Sequence, residues 1–418
     1  MKRYAAERSA NQPKPVEKVE VKEGGTKKRI VLLIVAILVA LGAFTYAIST
    51  LVTVEKGWRV IEATSASEMN CAQDFTFQYY LGGSGANAAA ENKELSMLYT
   101  KATEDAYQIF NAREASLTYN NLYYLNRRPN QPVQVPQELY AAFELVEKTG
   151  SRYMYLGPAF QEYHSIFFCT EDWETESFDP YQNEDQKAYL QAVAQFAADP
   201  AHVQVQLMGD NTVQLYVSES YLAFARENGI VDFVDLYLLQ DAFIVDYLAE
   251  TIEKAGYNRG MLSSYDGYTR CLSESQISYT TPLYNPVDAT HVEKAADVQV
   301  MGGTALVQMH SMPFNARKEL YYYQFKNGDT RTAYLDEKDG LCKAAVPVLF
   351  ATSREMSCAE AALRLMPFYA ADTLDENGLK ALEAEGLYPL YCEGKNLLSA
   401  DPQVTLKPVT EGYTVKTK

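Results

Sequence analysis

Twenty-five residues without a charge, Ile30 to Val54, stand between Lys27-Lys28-Arg29 and Glu55, and they limit what the rest of the chain can be. At roughly 1.5 Å per residue, a helix of that length crosses the ~30 Å hydrocarbon core of a bilayer. Residues 1–29 carry nine Lys/Arg against four Glu, so the tail belongs on the cytoplasmic side and everything after Val54 on the outside, as a single-pass plasma-membrane protein. The alternative is a cleaved signal peptide using Thr45 and Ala47, but the apolar run is longer than a usual signal core. Cys71 lies well beyond the run, so no lipoprotein signal is present.

Beyond the run, the composition is that of a globular protein, 47% hydrophobic and 22% charged in 418 residues. Removing the basic tail from the formal balance of −17 leaves 28 − 50 = −22 for the remainder. So acidic a body repels nucleic acid and anionic lipid. Six cysteines, at 71, 169, 271, 342, 358 and 392, are consistent with up to three disulfides in an oxidising exterior, and the sequence favours no pairing. The four histidines are scattered singly and there is no CxxC, which gives no support to a zinc or haem site.

The expected division is a tail over 1–29, an anchor over 30–54, a linker over 55–67, one domain over 68–411 and a short tail over 412–418. Asp74–Leu81 alternates as a strand, and Gly82-Gly83-Ser84-Gly85 ends it. Apolar spacing predicts helices over 92–112, 136–148, 243–254, 357–368 and 377–385. Strands are expected at 212–217, 297–308, 320–326, 331–335, 345–351 and 388–392. Val234 to Gly256, "VDLYLLQDAFIVDYLAETIEKAG", reads as a buried strand running into an amphipathic helix. Helices grouped among hairpin-like strands indicate an α+β fold.

Five stretches carry chemistry when taken in order: "GSRYMYLGP", "VDLYLLQDAFIVD", "MLSSYDGYTR", "NGDTRTAYLDEKDG" and "CAEAALRLMPF". Their order and spacing, from about Met69 to Leu398, resemble the ApbE-type FAD:protein FMN transferases. Members of that family split FAD and attach FMN to a threonine or serine of a partner protein, using magnesium. The resemblance implies a single T-fold-like domain of mixed and antiparallel sheets with flanking helices. It also implies FAD and Mg2+ as cofactors and a redox or flavoprotein partner at the membrane.

Most of the family's functional residues are replaced. In its Asp-Leu-Gly-Gly-Ile-Ala-Lys segment, Asp235, Leu236 and Asp246 keep their places, while the glycines fall on Tyr237 and Leu238 and the lysine on Asp241. Glycines allow backbone N–H groups to approach an anion, and lysine supplies countercharge. The Gly-Gly-Asn turn falls on Tyr265 and Asp266, with Gly267 beside it. An Asp and a Thr fall on Tyr153 and Tyr155. The paired histidines become Thr332 and Ala333 and the following proline Glu337, although Gly328, Asp336 and Gly340 keep their spacing. The magnesium-binding Asp and Thr become Glu360 and Arg364, which at i and i+4 suit an internal ion pair. "GGSGANAA" resembles the acceptor sequence of flavinylated partners, with Asn87 in place of the acceptor hydroxyl, and reads as a turn.

The resemblance leaves Asp266, Gly267, Asp336 and Arg364 as candidate cofactor-binding residues and Glu360 as a candidate metal ligand, with no catalytic residue assigned. Three functions follow: a catalytically degenerate, membrane-anchored binding or scaffold module outside the cytoplasm; an active transferase gathering a divalent ion on Glu360, Asp336 and Asp266; or a metal-independent nucleotide or flavin sensor gripping phosphate with Arg364.

Overall fold

In the computed structural model the described residues are 26–52, 54–64, 69–83, 85, 87–288, 291–312 and 321–417. The chain divides into two units, Met1–Val54 and Glu55–Lys418. In the first, Thr26–Val52 is a helix, and the apolar side chains of 30–44 are exposed. Among the described residues no helix is long and apolar enough to cross a membrane. The side chains that would complete the expected Ile30–Val54 span, those of 45–53, lie outside the described residues.

The second unit is built on a nine-stranded sheet. Its order is Gly57–Val60, Phe75–Leu81, Gly260–Ser264, Tyr268–Cys271, Ala305–His310, Val348–Ser353, Leu387–Glu393, Asn396–Ser399 and Thr414–Thr417. Every pair is antiparallel except the last. Ala305–His310 and Val348–Ser353 are buried on both sides, because the two faces of the sheet are covered differently. Helices Gln240–Lys254 and Cys358–Tyr369 lie on one face, and helix Ala88–Phe110 packs outside the former with Phe110 stacked 6.3 Å from Phe243. On the other face a three-stranded sheet of Ser278–Pro286, Val292–Met301 and Thr405–Pro408 closes a sandwich. Leu283, Ala296 and Val298 meet Leu306, Phe350 and Leu390 there in one apolar core.

The inserted segment from Leu122 to Asn228 supplies most of the remaining helices and a small sheet of Pro132–Gln134, Thr212–Val217 and Val203–Gly209. Local rules explain its ends. Asn183 and Ser218 cap the helices that follow by accepting backbone N–H groups, as Asn87 and Ser357 do elsewhere. Asn87 is therefore a helix cap in the turn expected of "GGSGANAA".

Four expectations need correction. The 55–67 linker holds the edge strand Gly57–Val60, paired with Phe75–Leu81, and the 412–418 tail holds the opposite edge strand; both are parts of the domain. The 297–308 strand is two strands, broken at Gly302-Gly303, where a Cβ on Gly302 would stand 2.2 Å from the Glu274 carbonyl oxygen. No cysteine is paired: all six are free and four of them buried. Finally, Val234 to Leu239 is not a strand. The Asn126 side chain both donates to the Val234 carbonyl and accepts its N–H, and residues 237–239 form a 3-10 turn. Those polar backbone groups are satisfied by a side chain and a turn, which leaves no ladder to join.

Candidate functional site

Tyr237 occupies the first of the two positions where the resembling family has glycine, and its φ is +47°. That left-handed conformation costs an L-residue with a bulky side chain roughly 1–2 kcal/mol. The Asp235 carboxylate holds it by accepting the Tyr237 N–H at 2.8 Å. The backbone therefore keeps the shape a glycine would adopt, while a phenol ring fills the space above it. That ring stacks on Phe160 at 4.5 Å and 11°, and Phe160 in turn meets Tyr153 at 4.9 Å. Tyr321 stands edge-on to it at 5.6 Å.

The second glycine position, Leu238, is 3% exposed. It faces a void of about 20 Å³ shared with Asp266, His310, Met312, Tyr321, Tyr322 and Tyr334. Such a volume holds about one water molecule. Gly267 has φ +99°, and a Cβ on it would lie 2.2 Å from the Gln308 carbonyl oxygen, so this turn runs too close to the sheet for any other residue. The Ser264 hydroxyl receives the N–H groups of Asp266 and Tyr268, fixing Asp266 beside Asp241. Burial and the Asp266 charge push the Asp241 carboxyl well above the usual range, as expected when like charges lie close together. Asp241, which the sequence resemblance sets against the family's lysine, is an acid held toward its neutral form.

The remaining candidates are occupied by other side chains. Asp336 is bound to Lys343 at 2.9 Å, with both side chains nearly buried, and Lys343 also reaches Asp339 and Asp372. Glu360 accepts from Arg364 at 3.1 Å and from Lys148 at 2.9 Å, and Arg364 also pairs with Glu385. The internal pair expected from the i,i+4 spacing is therefore present and extended on both sides. Among the described residues no group of three His, Cys, Asp or Glu stands ready for a metal, and Glu360, Asp336 and Asp266 are not gathered into one. Asp246 accepts the Cys358 and Ala359 N–H groups at 2.9 and 2.8 Å, capping the helix that carries Glu360. Tyr153, at the family's Asp position, donates to the Ala333 carbonyl at 2.9 Å. Tyr155 accepts from Val205 N at 3.0 Å. Glu337, raised by burial, takes the Ser151 hydroxyl at 2.8 Å.

Sequence reasoning missed a second cleft, on the outer side of Tyr237. It encloses about 320 Å³, and its walls include Arg113, His164, Asp235, Asp241, Tyr237 and Tyr321. Arg113 lies 5.9 Å over the Tyr237 ring and 3.0 Å from His164 Nε2. Nothing in the sequence links Arg113 to a turn 124 residues away.

No family model and no curated protein matches the chain. Solved structures do match. The flavin transferase ApbE from Vibrio cholerae superposes with a TM-score of 0.51 at 12% identity, covering 85% of this chain and 97% of its own. The ApbE protein from Thermotoga maritima gives 0.51 at 14%, covering 80% and 94%. The chain thus has an ApbE-like α+β fold along nearly the whole length of those proteins. At such low identity the likeness speaks for the fold.

Proposed function

We propose that this protein is a membrane-anchored ApbE-like domain outside the cytoplasm that has lost FMN transfer and serves as a binding or scaffold module. The observation that carries this reading is Tyr237, a buried ring in a glycine conformation. Beside it, Leu238 lines the void of about 20 Å³ that also borders Asp266. Phosphoryl transfer depends on positioned positive charge and an approachable backbone cradle. Here the cradle is covered by aromatic rings, the lysine position is Asp241, and Arg364 is engaged by Glu360 and Glu385. A phosphate gripped by Arg364 would have to displace two carboxylates, which argues against the sensor reading. The anchor rests on the charge-free run Ile30–Val54 and its basic flank.

The test is incubation of the purified protein with FAD, Mg2+ and a threonine-bearing acceptor, followed by mass spectrometry of the acceptor. No FMN adduct is expected. Stoichiometric transfer would restore the active-transferase reading.

A further inference from the structure

Trp58 and Tyr80 are partners across the edge of the nine-stranded sheet, and both rings stay in contact with solvent, 40% and 37% exposed. The indole is nevertheless fixed, because Tyr80 and Tyr279 each meet it edge-on at 5.7 Å. Beside the rings, Arg259, Glu274, Gln276 and Ile277 complete a cleft of about 330 Å³. Arg259 reaches it only because Gly83 has no side chain: a Cβ there would stand 2.3 Å from a guanidinium nitrogen and 3.0 Å from the Tyr80 ring. Arg259 Nε lies 3.7 Å from a Glu274 carboxylate oxygen, with 29% and 23% of the two side chains exposed. That ion pair is too long for a hydrogen bond. The other Glu274 oxygen accepts only the Gln276 N–H, at 3.3 Å. A guanidinium has five donors and a carboxylate about four acceptor positions, so most of this polar capacity is open to a ligand.

We propose that this cleft binds a neutral saccharide, with a hexose ring lying against Trp58 and Tyr80 and its hydroxyls shared among Arg259, Glu274 and Gln276. A pyranose presents C–H groups on its face and hydroxyls around its rim, which matches an aromatic shelf bordered by a few polar side chains. A hydroxyl both donates and accepts, so it can bridge the guanidinium and the carboxylate. A phosphate would be repelled by Glu274 and an ammonium by Arg259. The charge of −22 beyond the basic tail also disfavours an anion. The volume, near the lower end for ligand pockets, sets the size at a short saccharide.

The cleft stands apart from the Tyr237 turn. Along Phe75–Leu81, Phe75 pairs with Ser264 near Asp266, whereas Tyr79 pairs with Gly260 at the other end, next to Tyr80 and Arg259. The proposal therefore does not depend on whether the chain transfers FMN. Titration calorimetry of the full chain with maltotriose, cellotriose and tri-N-acetylchitotriose, and separately with inorganic phosphate, tests it. At least one trisaccharide should bind saturably, and phosphate should not. Trp58 and Trp173 are the only tryptophans, so in Trp173→Phe, a change at a position 70% exposed, a blue shift of tryptophan emission on binding reports Trp58 alone. Trp58→Ala should abolish the heat of binding, and Trp58→Phe should restore part of it. Arg259→Met and Glu274→Gln should each weaken binding about tenfold, the worth of one hydrogen bond to a charged group. Unchanged thermal unfolding of Trp58→Ala and Glu274→Gln would show that the losses are local. Failure of all three trisaccharides to bind, preference for phosphate, or binding untouched by Trp58→Ala and Glu274→Gln would each overturn the proposal.

Discussion

Replacing Tyr237 by glycine sets opposing free energies against each other, and the structure decides their balance. Deleting a buried aromatic ring costs about 3–5 kcal/mol in transfer and cavity energy, and Tyr237 is 8% exposed and stacked on Phe160. Relief of the +47° φ returns about 1–2 kcal/mol. Removing the unpartnered hydroxyl returns about 1 kcal/mol more. The greater freedom of glycine in the unfolded chain takes back about 0.5–1 kcal/mol. The net expectation is a loss of about 0.5–4 kcal/mol for Tyr237→Gly. Tyr237→Phe keeps the ring and discards only the orphan hydroxyl, so it should gain about 1 kcal/mol. Urea unfolding of the full chain, followed by tyrosine fluorescence with m-values compared, measures both. Tyr237→Gly as stable as the parent would mean that the ring is not packed as described. A destabilised Tyr237→Phe would mean that the hydroxyl has a partner.

Three further outcomes follow from other sites. Gly267→Ala should lower the melting temperature by several degrees, since its Cβ would stand 2.2 Å from the Gln308 carbonyl in a φ of +99°; thermal unfolding by circular dichroism reads it. Arg331 forks onto Asp179 at 2.7 and 2.9 Å with Asp179 fully buried. Arg331→Met should therefore cost about 3–5 kcal/mol by stranding the carboxylate, and adding Asp179→Leu should recover much of it, as a double-mutant unfolding cycle would show. His164 is held down to about 4 by burial and by Arg113. Because its folded value lies below the unfolded 6.5, the unfolded chain takes up the proton first. Stability from this group is complete above pH 6.5 and is lost as the pH falls toward 4. The ring is only half buried, so the loss is modest, and His164→Gln should flatten the stability profile across that window.

What was legible in the sequence was mostly local. Ser357 opens the helix expected over 357–368, and the alternation of Thr212–Val217 gives a strand with its observed limits, whereas the helix capped by Ser218 was not among those expected. The α+β class followed from the grouping of those elements. Long-range pairing was not legible: Gly57–Val60 looks like spacer because it is only four residues long and its partner strand begins at Phe75. The Val234 stretch reads as a strand because its run of apolar residues is the same whether a ladder or the Asn126 side chain satisfies the backbone. The bulk of Tyr237 and Leu238 at this turn was visible in the sequence. The stacking of Tyr237 on Phe160, and the arrival of Arg113 from 124 residues away, depend on folding of distant segments. The cysteines misled in a different way: their count suits disulfides, yet all six are free and four are buried as small apolar groups.

Titrating the purified protein with FAD in the presence of Mg2+, and following flavin fluorescence, bears on the plugged cradle with the fewest intermediate assumptions. With Tyr237 and Leu238 filling the turn, fluorescence should stay unquenched and the protein should leave gel filtration colourless. Saturable quenching, with flavin absorption travelling with the protein, would show that the cradle is open and that the rings described above do not exclude the dinucleotide.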